Sequence, residues 1–319
     1  MLIPMFDKIA TLSLFRADGS VVTVACPPGG RKPTIRITGT MLSQDVIQQV
    51  EVRVTNFVTD VPLSEYTHAA GAPLGSGGHI TVAAGYAGNV MTNLEGEAIN
   101  AYQETPGPDG VTVFQMLVGY FTDWTTKKLN GNWAAGTPLY IPPAGGVLGE
   151  VANALGLTLI YYADPSLVLP CNVSSNGLAK ELIAKLKTIF AKKGPHGDWS
   201  GLAIHPDGAN LIALNRDTGT GLVYELNYIS LANHTAAGYN IQAPWVPAIR
   251  PQDTVKVDPT YFRQTFGGSI VGGTGSTFRV ISNSFDFCTT DETSMMNLVM
   301  VAEAEIPRVH TPSIAARSR

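Results

Sequence analysis

The chain of 319 residues is poor in charge. Asp, Glu, Lys and Arg together make up 14% of it, against roughly 25% in an average soluble domain. No apolar run approaches the roughly 20 residues needed to cross a bilayer as a helix. A chain with little charge and no such run has to cover apolar surface elsewhere, and burial against other subunits is the simplest place. Net charge is −4, which argues against a broad nucleic-acid-binding face. The N-terminal stretch to Phe15 lacks a basic region followed by a long apolar core, so it does not read as a signal peptide. Cysteine is scarce too. Cys26, Cys171 and Cys288 are odd in number and far apart, with no Cys-x-x-Cys pair, which suggests reduced, inert thiols in a cytoplasmically made protein. The sequons at Asn172 and Asn233 are then accidents of composition.

What is present is mostly strand pattern. Residues 34–39 alternate Ile35 and Ile37 against Arg36 and Thr38. In 49–56, Val50, Val52 and Val54 alternate with Glu51, Arg53 and Thr55, the pattern of a half-buried strand. Residues 80–84 repeat it, after a Pro- and Gly-rich loop at 61–78. Residues 96–103 and 111–120 predict a hairpin across a Pro/Gly turn. The period then changes. Val147, Leu148, Val151 and Leu155 share a helical face ending at Gly156, and the apolar run 157–162 follows. Leu178, Leu182, Leu186, Ile189 and Phe190 form a second helical stripe, with Ser174, Ser175 or Asn176 as N-cap and Gly194-Pro195 as its end. Strands return at 211–214, 222–229, 254–257, 277–287 and 294–302, and from Pro307 the chain reads as an extended tail.

An internal echo stands out. Glu97-Ala-Ile-Asn-Ala-Tyr102, a turn, and Phe114-Gln-Met-Leu-Val118 resemble Arg279-Val-Ile-Ser-Asn-Ser-Phe285, a turn, and Met296-Asn-Leu-Val-Met300. Each hairpin follows a similar strand, 80–84 or 254–257. The echo suggests two related β-barrels flanking an α/β module.

Chemistry-bearing motifs are few. His196-Gly-Asp198 and His205-Pro-Asp207 match no ligand spacing of a metal site, and Pro206-Asp207-Gly208 reads as a hairpin turn. The glycine cluster 267–276 lacks a Gly-Lys-Ser/Thr ending and precedes a strand, so it reads as a loop, not a phosphate cradle. No Gly-x-Ser-x-Gly or His-Glu-x-x-His is present. Asp109, Asp123 and Glu150 are the carboxylates from which a glycosidase-type pair could be drawn. Asp123-Trp124, Asn132-Trp133 and Tyr140 form an aromatic cluster, read as interface packing, with carbohydrate stacking as the alternative. No catalytic, cofactor-binding or metal-ligating residue is assigned, and no cofactor is expected.

The order of the pieces adds a resemblance. Val50-Glu-Val-Arg-Val-Thr-Asn56 is similar to the strand ending in Asn found early in baseplate hub proteins of contractile phage tails. Ile80-Thr-Val-Ala-Ala-Gly-Tyr86 resembles their next strand, which ends in Ala-Gly-Tyr. Leu94-Glu-Gly-Glu-Ala-Ile99 with Pro108-Asp-Gly-Val-Thr112 resembles their hairpin, and the helix at 147–155 the module after it. Trp245-Val-Pro-Ala-Ile-Arg-Pro251 and Asp253-Thr-Val-Lys-Val257 resemble the entry to a late strand, with Trp245-Val246 and Gln252 in place of the usual Asn and Gly. The likeness spans residues 49–302 and extends to late-control proteins of temperate phages and the upper part of type VI secretion spikes.

The resemblance implies a mainly β (α+β) protein, divided as a first tube-like barrel (1–135), a small α/β module (136–200), a second tube-like barrel (201–306) and a C-terminal tail (307–319). It implies a non-enzymatic virion protein, made in the host cytoplasm: a homotrimeric hub that joins the tail tube to the central spike. Its expected partners are itself, the tail tube protein, the spike and baseplate wedge proteins. DNA would pass the lumen without specific binding, and no membrane insertion is expected. The alternatives are a tail-associated carbohydrate-active β-protein and a tail tube or tip protein.

Overall fold

Alternation of apolar and polar residues decides most of this chain, and the protein is mainly β. The structure, a computed structural model, describes residues 7–16, 18–26, 33–42, 48–67, 78–87, 92–104, 110–119, 126–191, 201–216, 218–226, 228–235, 238–257, 277–290 and 294–302.

The N-terminal unit contains β1 (Lys8–Phe15), β2 (Val21–Cys26), β3 (Ile35–Leu42), β4 (Gln49–Thr55), β5 (His79–Tyr86), β6 (Thr92–Gln103) and β7 (Val111–Val118). In β4, Val50, Val52 and Val54 are fully buried while Glu51, Arg53 and Thr55 are not, so the period-two pattern places one face on the core. β1 behaves the same way, burying Ala10, Leu12 and Leu14.

The C-terminal unit contains β13 (Val223–Leu226), β14 (Leu231–Thr235), β15 (Gly238–Pro244), β16 (Thr254–Val257), β17 (Thr277–Cys288) and β18 (Met295–Ala302). Strands of both units join in one 13-stranded sheet. Its main path runs β14-β15-β18-β17-β3-β4-β7-β6-β5-β1-β2, with β16 on β17 and β13 on β16. One apolar core runs through both units.

The echo in the sequence is an echo in topology. The order β3-β4-β7-β6-β5 is repeated as β14-β15-β18-β17-β16. The registers match as well. His79 lies opposite Glu97 as Thr254 lies opposite Arg279, and Ala98 lies opposite Met116 as Val280 lies opposite Met300. A one-residue register shift follows at the same place in both, between Ala98 and Asn100 and between Val280 and Ser282. The residues skipped are Ile99 and Ile281, which the sequence echo aligns. The outer strands differ: β1 runs antiparallel to β5, whereas β13 runs parallel to β16.

Between the units lies a module with its own core. It consists of β8 (Lys128–Trp133), α1 (Gly146–Leu155), β9 (Thr158–Tyr161), β10 (Val173–Leu178), α2 (Ala179–Ile189), β11 (Leu202–Asp207) and β12 (Asn210–Asn215). Helix α1 buries Val147, Leu148, Val151 and Leu155 and stops at Gly156, whose φ of 70° suits a residue without a Cβ. Helix α2 buries Leu182, Ile183 and Leu186. Ser174, Ser175 and Asn176, the N-cap candidates in the sequence, do not cap it. They belong to β10, paired with β8, and the Leu178 N–H is instead accepted by the Glu181 carboxylate at 3.2 Å. The module reaches past residue 200, because β12 pairs with β9 and β11 pairs with β12. It also starts before residue 136, at β8. The residues 192–200, 258–276, 291–293 and 303–319, including Gly194-Pro195, the glycine cluster and the tail, lie outside the described residues.

Candidate assembly interface

The place where β17 meets β3 holds the two units together. β17 pairs with β18 along one edge. Its other edge is divided: Thr277 to Arg279 face β16, and Ser282 to Cys288 face β3. The bulge at Ile281 falls at the changeover, and a bulge turns a strand so that it can leave one neighbour and take up another. Across this joint Thr40 and Ser284 bring their hydroxyls to 3.0 Å. Arg36 and Asp286 form a two-bond ion pair at 2.9 and 2.5 Å. Behind it Phe287 is fully buried, with its ring centroid 6.2 Å from that of Tyr86 and 4.7 Å from that of Trp245. Tyr86 is the tyrosine of the Ala-Gly-Tyr strand, and burial pushes its phenol up to about 12.

A second joint ties the module to both units. The turn at Gly208, φ 57°, connects β11 to β12, so Pro206-Asp207-Gly208 is the hairpin that the sequence predicts. Gly208 abuts Glu95 of β6, and Pro206 abuts Gly119 after β7. Asp207 receives the Arg250 Nε–H at 3.4 Å, and Arg250 Nη1 donates to the Pro247 carbonyl at 2.5 Å. Asp253 accepts the Arg250 backbone N–H at 2.7 Å and the Thr220 hydroxyl at 2.5 Å. Burial raises its carboxyl to about 6, against the opposing pull of these donors and of the Arg250 charge. A cavity of about 480 Å³ opens beside this network, lined among others by Glu95, His205, Asp207, Arg250 and Asp253. Asp207 and Asp253 are both engaged in holding the loop between β15 and β16 in place. No group of three or more His, Cys, Asp or Glu arranged for a metal occurs among the described residues.

Of the residues weighed for chemistry, only some lie among the described residues. Glu150 of α1 accepts the Trp133 indole N–H at 2.8 Å, which fixes a buried ring in the module core and leaves no face for a sugar. Tyr140 stacks on Tyr161 at 4.5 Å, and Asn132 is exposed on β8. Asp109, Asp123, Trp124, His196 and Asp198 lie outside the described residues. Cys26 and Cys288 are buried and Cys171 is exposed, and the three form no disulfide with one another. No described helix is long and apolar enough to cross a membrane.

Two residues quoted for the resemblance sit in left-handed backbone. Asn56 has φ 57° and Gln252 has φ 74°. Asn is among the few side chains that tolerate this region, which explains a strand ending in Asn. Gln252 keeps a conformation suited to glycine although glycine is absent. The network around Asp253 was not foreseen from the sequence; its one signal was that substituted Gly position.

Solved tail proteins share this fold. A 43 kDa tail protein of prophage MuSo2 from Shewanella oneidensis is similar over 93% of this chain and 98% of its own, with 10% identity and a TM-score of 0.53. A tail protein from Neisseria meningitidis MC58 is similar over 94% of this chain and 98% of its own, at 7% identity and a TM-score of 0.53. An E. coli component of the type VI secretion system, described as structurally similar to the T4 bacteriophage tail proteins gp27 and gp5, matches 86% of this chain and 77% of its own, at 10% identity and a TM-score of 0.52. No family model matches the sequence, and no curated protein does.

Proposed function

We propose that the chain is a structural, non-enzymatic subunit of a tail machine, and that three copies form the baseplate hub between a six-fold tail tube and a central spike. The observation that carries this reading is the doubled five-strand unit with its shared bulge. Two like units per chain turn three chains into six positions, which meet a six-fold tube without a symmetry mismatch. The fold shared with phage tail proteins and a type VI secretion component supports it. Low charge suits a chain that buries lateral and axial surface in a ring. A net charge of −4 suits a lumen that lets DNA pass without binding it.

In this reading the two units are tube-like barrels lining the channel, the module lies outside the ring, and the tail at 307–319 docks on a neighbour. The partners are the tail tube, the spike and the baseplate wedges, in a virion assembled in the host cytoplasm. Light scattering and negative-stain imaging of the purified protein test it. A ring with the mass of three chains is the expected result. A particle of one chain's mass at every concentration overturns it.

A further inference from the structure

The structure uses one edge of each repeated unit but leaves its counterpart open. Within the chain, β3 of the N-terminal unit docks on the second half of β17. By topology β14 corresponds to β3, and β6 corresponds to β17. Among the described residues β14 pairs only with β15, and no strand lies on the edge of β6 beyond its bulge. Among the described residues the chain therefore presents one open edge of each kind used in its own internal joint.

The exposure pattern fits an interface waiting for a partner. Ile99, the bulge residue of β6, is 46% exposed, while its counterpart Ile281 is half-buried beside β3. Gln103 is exposed whereas Phe285 in the same position is buried, and Asn100 is exposed whereas Ser282 is half-buried. On the other side, Leu231 opens β14 with an exposed apolar side chain, and Tyr228 is exposed just before it. An open, apolar strand edge is a liability in solution unless something pairs with it. Local structure leaves room for a strand. The turn at Leu63–Tyr66 packs against β6 much as the loop before β16 packs against β17, where Asn283 donates to the Ile249 carbonyl at 3.0 Å. That second loop coexists with the docked β3.

We infer that β14 of one subunit adds to the second half of β6 in a neighbouring copy, repeating the β3–β17 joint. The inference rests on the trimeric reading and specifies how the copies join. The contact is head-to-tail, so it closes a ring when the angle at the joint returns after six units. The internal register transfers residue by residue. Ser284 opposite Thr40 becomes Tyr102 opposite Thr235, and Phe285 opposite Gly39 becomes Gln103 opposite His234.

Paired cysteines test this on the full chain, with exposed Cys171→Ser removing background. Tyr102→Cys with Thr235→Cys is oxidised and run on a non-reducing gel, beside Thr40→Cys with Ser284→Cys as the control for the internal joint. The control should stay a single chain with an intact bridge, since those hydroxyls are 3.0 Å apart. The test pair should give linked species ending at three chains, and each single variant only monomer. Trimers by light scattering without any link between chains overturn the proposed joint and leave the hub reading standing. Monomer throughout overturns both.

Discussion

Arg36 of β3 grips Asp286 of β17 through two hydrogen bonds across the line where the N-terminal and C-terminal units meet. Both side chains are about half exposed, and an ion pair in that setting contributes at most about 1 kcal/mol. The apolar layer behind it is the stronger element. Asp286→Ala should therefore lower unfolding stability by less than about 1 kcal/mol, and Phe287→Ala by about 3–5 kcal/mol, the range for emptying a buried aromatic site. Urea unfolding of the two variants checks this. Equal losses would mean that the joint depends on its surface charges.

The same joint shows what a sequence can reveal. Val50, Val52 and Val54 announce β4 because one face is buried and the other wet. The echo of 97–102 with 279–285 announced the repeat, because both stretches meet the same constraints of register and bulge. β1 carried an equally clean alternation in Ala10, Leu12 and Leu14 but lay in a segment weighed only as a possible leader. β14 and β15 were harder, since Asn233, Asn240 and Gln242 dilute their pattern. The pairing of β3 with β17 was not legible, because residues some 245 apart along the chain share no local signal. The contact of Asp207 with Arg250 was hidden for the same reason.

Asp253 should make stability depend on pH in an unusual direction. Its folded carboxyl titrates near 6, above the ordinary value, so between about pH 4 and 6 the folded state binds the extra proton. Its contribution is then most favourable below about pH 4 and is lost as pH rises through 6. At about 1.4 kcal/mol per unit, the cost at pH 7 is on the order of 1–3 kcal/mol. Asp253→Asn can still accept from the Arg250 N–H and can donate to the Thr220 oxygen. Relative to the native chain it should gain stability at pH 7.5 and lose that advantage at pH 4.5. Denaturation midpoints at the two pH values decide it, and a difference independent of pH would place the titration elsewhere.

Gly96 of β6 marks a place where two backbones nearly touch. A Cβ there would lie 2.0 Å from the Leu117 carbonyl oxygen, and a carbonyl in a paired strand cannot move aside as a side chain can. Gly96→Ala should cost at least about 1–3 kcal/mol through overpacking, with the loss centred on the β6–β7 pair. Hydrogen exchange would show faster opening of the amides from Ala98 to Gln103. Unchanged protection in that stretch would contradict the close approach.

Gln252 offers the opposite experiment, a substitution that should help. Its φ of 74° lies in the left-handed region, which costs a residue with a Cβ roughly 1–2 kcal/mol. Its side chain is buried, and Oε1 has no hydrogen-bond partner among the described residues, a burden of about 1–3 kcal/mol for a buried polar group. The backbone is nevertheless held on both sides. The Gln252 N–H donates to the Val280 carbonyl at 2.8 Å, and the Gln252 carbonyl accepts from Thr220 at 3.2 Å. These bonds survive replacement by glycine, since they use no side-chain atom. Against the gains stands the greater freedom of glycine in the unfolded chain, about 0.5–1 kcal/mol, together with the lost packing of the buried Gln methylenes at about 0.8 kcal/mol each. The balance favours Gln252→Gly by about 1 kcal/mol, for which a domain-sized unit shifts its thermal midpoint by about 2–8 °C. Gln252→Ala keeps the Cβ and so keeps the strain, and it should gain less than Gln252→Gly. Calorimetry of both variants separates the two contributions. If alanine matches or exceeds glycine, the strain at this turn is not what limits stability.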